Sequence, residues 1–154
     1  MARVLRYLWA LPATAVGLVF VALVVPRGRV AIVDGVVEAH GPILRWALSR
    51  LIPNRGGASA ITLGHVVLGR DPTALESTRL HERVHVAQYE QWGPLFLPVY
   101  AASSLAACIR GGDYYLDNRF EREARAEEVS GRLSRCPILR RGSPRSLTQN
   151  SAHR

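Results

Sequence analysis

One uncharged segment near the N-terminus limits how this chain can fold more than any other part of the sequence. Residues 7–25 form a run of 19 consecutive positions without a charge. As an α-helix the run would be about 28 Å long, close to the thickness of the hydrocarbon core of a bilayer. Two arginines stand on each side of it: Arg3 and Arg6 before, Arg27 and Arg29 after. The pattern predicts a transmembrane helix, with residues 1–28 as an N-terminal membrane anchor.

A cleaved signal peptide is the competing interpretation of this segment. The apolar run is long for a signal peptide, and no clear small-x-small cleavage site precedes Pro26. An uncleaved anchor is therefore favoured, and the predicted localisation is the membrane, with a single pass. Because arginines flank both ends equally, the positive-inside rule does not decide which side the rest of the chain faces.

The remaining sequence has room for one compact domain. The chain has 154 residues, of which 48% are hydrophobic, which is enough to build a core. We assign residues 29–131 to this domain. Residues 132–154 carry six arginines, no acid and no aromatic residue. They are expected to form a basic, disordered tail. A tail that binds nucleic acid or anionic lipid is the alternative, but without aromatic residues for base stacking, nucleic-acid binding is not expected.

Residues 29–69 have the composition of a small sheet with one helix. Within 29–39, two β-branched runs flank Asp34-Gly35, which is a strong hairpin signal. Residues 43–52 have apolar spacing closer to that of an amphipathic helix. Residues 60–69 are again rich in strand formers, with a central glycine that indicates a turn or bulge. The prediction is a small antiparallel sheet of three or four strands.

The second half of the chain is predicted to be helical. Asp71 followed by Pro72 is a typical helix start, and this helix can continue to Trp92, just before a Gly-Pro pair. Residues 94–109 carry no charge and favour a buried helix, with a helix lying against the membrane as the alternative. A final helix is expected over 119–133. The predicted fold class is α+β, with the N-terminal transmembrane helix added.

The helix that starts at Asp71 contains the motif H-E-x-x-H, in which His81 and His85 flank Glu82. Residues i and i+4 lie on one face of a helix, so two imidazoles can bind the same metal ion. Glu82 lies beside that face and can accept a proton from water. The alternative is a surface helix whose histidines face solvent. Gln88 and Trp92 continue the histidine face, which favours an inward orientation.

A catalytic zinc site needs a third protein ligand. On the last predicted helix, Glu121 stands three residues before Ala124, in an E-x-x-A arrangement where the small residue allows close helix packing. Glu123 is the rival ligand. Both acids could instead be ordinary surface charges.

The H-E-x-x-H helix followed by E-x-x-A resembles the gluzincin zinc metallopeptidases, in particular their minimal, membrane-associated forms. More narrowly, the segments HERVHVAQYEQWGPLFLPVY and DNRFEREA resemble a family of small bacterial H-E-x-x-H proteins with an N-terminal apolar helix. The resemblance implies that His81, His85 and Glu121 bind Zn²⁺ and that Glu82 is the general base. Many gluzincins have an Asp after E-x-x-A that orients a ligand histidine, whereas this chain has Arg125.

The same resemblance gives residues 62–68 a role as a strand that pairs with an extended substrate. His65, Tyr114 or Tyr115 would then be candidates to stabilise an oxyanion. The expected function is a membrane-anchored zinc metallopeptidase that acts on a peptide or protein substrate. The alternative is a metal-binding or structural membrane protein without catalysis.

Overall fold

The computed structural model describes residues 2–51 and 57–135, with side chains described over 4–51 and 57–131. It has five α-helices, one 3-10 turn and four strands within these ranges. In chain order they are α1 (Ala2–Val24), β1 (Arg29–Val33), β2 (Val36–His40), α2 (Pro42–Arg50), β3 (Ala60–Leu63), β4 (Val66–Gly69), α3 (Pro72–Trp92), the 3-10 turn (Gly93–Leu95), α4 (Phe96–Ile109) and α5 (Arg119–Arg135). The α+β class is as predicted.

The four strands form one mixed sheet in the order β1-β2-β4-β3. The predicted hairpin between β1 and β2 is present, and its turn residues Asp34 and Gly35 both have positive φ, 50° and 79°. β3 and β4 form a second antiparallel hairpin, but β2 and β4 run parallel. The prediction of an antiparallel sheet is therefore wrong at this pair. All four residues of β4 are buried, so β4 takes the central position and the more exposed β3 becomes the edge.

Helices cover both faces of the sheet. α1 and α2 pack on one face, in a cluster that consists of Val21, Val24, Ala39, Leu44, Leu48, Val66 and Leu68. α3 packs on the other face through Leu75 and Val86, which contact Val36 and Val67. The sheet thus lies between two helical layers, and α3, which carries the H-E-x-x-H motif, is one of them.

An ion-pair network holds α3 against β2. The buried carboxylate of Glu38 accepts two hydrogen bonds from the Arg79 guanidinium, both 3.1 Å long, and one of 3.0 Å from Arg83. Arg83 also donates to the backbone oxygen of Val33. Arg83 is the residue that follows Glu82 in the motif. The charged side of α3 therefore fixes the rotation of the helix, and the histidines lie on its other side.

The N-terminal helix α1 is long and apolar enough to cross a membrane, a criterion that signal sequences and core helices of soluble proteins also meet. In this structure α1 is a packed layer of the fold. One stripe of it, which includes Ala10, Val21 and Val24, is buried against the rest of the chain. A Cβ at Gly17 would lie 2.7 Å from the Cβ of Val66, so glycine allows the close approach. The remaining circumference of α1 exposes large apolar side chains.

The helix α4 differs from its prediction as a buried helix. Of its residues only Phe96 and Ala107 are buried, whereas Leu97, Leu105 and Ile109 are exposed, Ile109 to 77%. α3, α5 and the 3-10 turn contact one side of α4, and no described element covers the other side. The predicted tail also begins differently, because α5 continues to Arg135. Residues 136–154 lie outside the described part of the chain.

Candidate metal centre

The H-E-x-x-H motif lies in the middle of α3, where the helix is covered by β3 and α5. Asp71 caps the helix start as predicted, because its carboxylate accepts a hydrogen bond from the Ala74 amide at 2.8 Å. His81, Glu82 and His85 have relative exposures of only 9%, 6% and 7%. The histidines do not face solvent, so the surface-helix interpretation of the motif is wrong.

Three side chains converge on one point beside α3. The Nε2 atoms of His81 and His85 are 3.1 Å apart. Glu121 of α5 faces both rings, with Oε2 3.3 Å from Nε2 of His81 and Oε1 3.2 Å from Nε2 of His85. Donor atoms in a tetrahedral site with metal bonds of ~2.0 to 2.1 Å lie about 3.3 Å apart. The separations thus fit one small metal ion, and the three residues form a buried group that could hold it.

Glu123, the rival ligand, is directed elsewhere. Its Oε2 accepts a hydrogen bond of 3.1 Å from the side-chain amide of Gln88. Ala124, the small residue of E-x-x-A, is fully buried. α5 therefore turns Glu121 towards the imidazoles and places Glu123 in the surroundings of the site.

The environment of His85 fixes which ring nitrogen can bind a metal. The amide nitrogen of Gln88 has two acceptors, the backbone oxygen of Phe120 at 3.3 Å and Glu123. Its amide oxygen therefore faces Nδ1 of His85, at 2.8 Å, and Nδ1 must donate a hydrogen. This tautomer leaves the lone pair of Nε2 free to point at the convergence site.

Two further residues support the other ligands. A carboxylate oxygen of Glu128, one turn beyond Arg125 on α5, lies 3.6 Å from Nδ1 of His81. The hydroxyl of Tyr100 on α4 donates to Oε1 of Glu121 at 2.9 Å. The roles of Gln88, Tyr100 and Glu128 are absent from the sequence prediction. The position of Gln88 on the histidine face was a partial signal, but the other two contacts depend on how α4 and α5 pack.

Arg125 occupies the position where many gluzincins have an orienting Asp. Its guanidinium donates to the backbone oxygen of Leu116 and lies 3.7 Å from Oε2 of Glu121. It contacts the carboxylate of the group, not an imidazole. The group that orients an imidazole in this chain is Gln88, at His85, while Glu128 lies near the ring of His81.

The electrostatics of the group favour a cation. Burial raises the pKa of Glu121, but the neighbouring imidazoles of His81 and His85 outweigh this and hold its pKa well below the usual range. Burial lowers the pKa of His85, but the contact with Glu121 and the charge of Glu82 outweigh it and raise that pKa. Oε2 of Glu121 is also buried without a hydrogen-bond partner among the described residues. A divalent ion would supply positive charge beside the Glu121 carboxylate, which protonated imidazole stabilises when no ion is bound.

Glu82 is buried beside the same group. Burial raises its pKa, and the nearby imidazoles only partly oppose the shift. Its Oε2 accepts a hydrogen bond of 2.7 Å from the hydroxyl of Thr62 on β3. The hydroxyl fixes one carboxylate oxygen, so Glu82 is positioned by the edge strand of the sheet.

A cavity of about 570 Å³ opens in front of these residues. Its walls are β3 and the segment before it, the motif face of α3, α4, one face of α5, and residues 114–116 between α4 and α5. The outer edge of β3 is unpaired within the described sheet. Of the segment 62–68 predicted to bind substrate, only the part in β3 has a free edge, because β4 lies inside the sheet.

The three candidates for oxyanion stabilisation lie in different places. Tyr114 and Tyr115 line the cavity. His65 does not: it lies in the turn between β3 and β4, with its ring stacked on Tyr7 of α1 at 3.9 Å and its Nε2 3.1 Å from Glu90. His65 therefore contributes to the packing of α1 and is not a cavity residue.

No family model, curated protein or solved structure matches this chain.

Proposed function

We propose that this protein is a membrane-anchored zinc metallopeptidase, with His81, His85 and Glu121 as the zinc ligands and Glu82 as the general base. The observation that carries the proposal is the convergence of two imidazole nitrogens and one carboxylate, 3.1 to 3.3 Å apart, at the wall of a cavity. The same cavity contains Glu82.

The donor set favours zinc. Two neutral imidazoles and one carboxylate are typical of catalytic zinc sites, which leave one position open for water or substrate. Calcium and magnesium prefer sites built mainly from oxygen ligands. Gln88 supports this choice, because it holds His85 in the tautomer that presents Nε2.

The side chains around the site have separate roles in peptide hydrolysis. Bound zinc would act as a Lewis acid that acidifies water and polarises the scissile carbonyl. Glu82 accepts the proton of the attacking water and can return it to the leaving amine. The Thr62 hydroxyl holds one oxygen of Glu82, and Glu82 lines the cavity. Burial raises the pKa of Glu82, which makes its carboxylate a stronger base.

The open edge of β3 supports a peptide as the substrate. An extended peptide can add to an unpaired strand by backbone hydrogen bonds. β3 lies next to α3 and lines the cavity from Ala60 to Leu63. A peptide paired there would pass directly in front of Glu82, since Thr62 of this strand contacts it.

The test uses the full chain in a mild detergent, because α1 completes the core. We expect the wild type to bind one zinc ion and to cleave members of a peptide library. Glu82→Gln should keep the zinc and lose activity, and His85→Ala should lose both. Glu127→Gln, an exposed acid on α5, is the matched control and should retain both. A wild type that binds no zinc when it is supplied, or an active Glu82→Gln variant, would contradict the proposal.

A second candidate function is a structural metal site without catalysis. It is favoured by one observation, namely that the metal ligands come from α3 and α5 and so would join two helices. In this case zinc would raise the melting temperature, His81→Ala would abolish that increase, and Glu82→Gln would have no functional effect. The peptide assay on the same variants distinguishes the two candidates.

A further inference from the structure

A basic groove lies at the C-terminal end of α1, where α2 and the chain just before α3 also reach it. Five arginines line it: Arg27, Arg29, Arg45, Arg50 and Arg70. The groove has a volume of about 670 Å³ and lies between the chain that leaves α1 and the outward face of α2. These arginines are far apart in sequence, so no single segment shows the charge cluster.

The groove is strongly positive. No Asp or Glu is among the residues that line it. The nearest acid in sequence, Asp71, directs its carboxylate to the Ala74 amide at the start of α3. Arg27, Arg29, Arg45 and Arg50 form no ion pair with any acid in the described ranges, and all four are exposed. Such a cluster attracts phosphate groups, which accept hydrogen bonds from guanidinium.

The groove continues into an exposed apolar surface. α1 and α2 cover the same face of the sheet, so their outer sides face the same way. On α1 this outer surface includes Phe20 and Leu23, and on α2 it includes Ile43 and Trp46, which is 55% exposed. Apolar side chains beside tryptophan and arginine are typical of helices that lie in the interface of a membrane.

The fold gathers arginines at the C-terminal end of α1. There it adds the arginines of α2 to Arg27 and Arg29. The Arg6 guanidinium, near the other end of the helix, lies 3.8 Å from the carboxylate of Glu90. Phosphate binding is therefore expected at the C-terminal end.

We propose that this groove binds the phosphate headgroups of anionic phospholipids in the membrane that α1 contacts. The apolar outer surface of α1 reaches the acyl region, while Trp46 and the arginines lie at headgroup level. A nucleic acid would also be attracted by the charge, but it would leave the adjoining apolar surface exposed to water. A lipid surface matches both the basic groove and the apolar surface beside it. This site is separate from the metal centre and does not depend on the proposed peptidase activity.

The experiment measures binding of the full chain to vesicles of phosphatidylcholine with or without phosphatidylglycerol. Each arginine near an anionic surface contributes enough that removing two should weaken binding about 10- to 30-fold. We expect the wild type to prefer anionic vesicles and Arg45→Gln/Arg50→Gln to lose this preference. Arg110→Gln/Arg122→Gln removes two exposed arginines, one directly after α4 and one in α5. It is the matched control and should bind like the wild type.

Circular dichroism of both double variants checks that their fold is the same as that of the wild type. Equal binding of the wild type to neutral and anionic vesicles would overturn the proposal, as would anionic binding by Arg45→Gln/Arg50→Gln at wild-type strength. Displacement of the wild type from vesicles by inorganic phosphate at constant ionic strength would show a site for a soluble anion instead. Binding of a DNA duplex without preference for anionic vesicles would indicate a nucleic-acid surface and would also overturn it.

Discussion

At the scale of single residues, the geometry of the His81–His85–Glu121 group depends on contacts around it. The pair His81 and His85 could be identified from the spacing of the sequence, because the periodicity of a helix determines which residues share a face. For the third ligand the E-x-x-A pattern offered Glu121, with Glu123 as the rival. Gln88 was partly predictable, because it contacts His85 within α3, three residues further along the same face. Glu128 was not, since it approaches His81 only when α3 and α5 pack together. The choice between Glu121 and Glu123 likewise needed the rotation of α5.

Gln88→Ala is predicted to weaken zinc binding. The substitution removes the acceptor that holds Nδ1 of His85, and loss of such a partner typically lowers metal affinity 10- to 100-fold. Affinity is measured by competition with a chromophoric chelator. Gln91→Ala, on the exposed side of the same helix, is the control. Identical affinities of the two variants would contradict an orienting role for Gln88.

Thr62→Val is predicted to lower peptidase activity about tenfold while zinc affinity stays the same. Valine preserves the shape of the side chain but removes the hydroxyl that donates to Glu82, and hydrogen bonds to charged groups contribute about 1.5 to 3 kcal/mol. Activity and zinc content are measured on the same preparation. Thr73→Val, at an exposed position of α3, serves as the control. Full activity of Thr62→Val would show that Glu82 does not need this contact.

At the scale of secondary-structure elements, local patterns predicted most helices, the hairpin between β1 and β2, and a turn or bulge at the glycine between β3 and β4. These patterns did not predict which elements are buried and which lie at the edge or the surface of the fold. Whether β3 or β4 lies next to β2 is decided by which strand is buried more completely, and β4 is. The apolar composition of α4 indicated a buried helix, but among the described residues no element packs on its outer side.

The packing of α1 on the sheet gives an element-scale prediction. Gly17→Leu is expected to destabilise the fold by about 1 to 3 kcal/mol, because a side chain there would overlap Val66. A chain of this length should lose about 2 to 4 °C in melting temperature per kcal/mol. The measurement is thermal unfolding in detergent.

Ala15→Leu is the control for this substitution, because it adds the same side chain to the exposed side of α1. It should leave the melting temperature unchanged. Equal melting temperatures for Gly17→Leu and Ala15→Leu would mean that α1 does not rest on β4 in the folded protein.

At the scale of the whole molecule, the sequence predicted an anchor followed by a separate domain, whereas α1 packs along its length against that domain. The composition predicted that α1 is hydrophobic. It did not predict which side of α1 is buried, because the outer side is equally apolar. The protein therefore has two distinct surfaces. The side of α1 and α2 is apolar and basic, and the His81–His85–Glu121 group opens on a cavity bounded by β3, α3, α4 and α5.

Zinc X-ray absorption spectroscopy of the zinc-loaded full chain tests the central claim most directly. We predict two imidazole nitrogens and carboxylate or water oxygens at about 2.0 to 2.1 Å from the zinc, with no sulfur ligand. His85→Ala should lose this signature and Glu127→Gln should keep it. Sulfur scattering at about 2.3 Å, or a spectrum of hydrated zinc without imidazole, would contradict the claim that His81, His85 and Glu121 hold the metal.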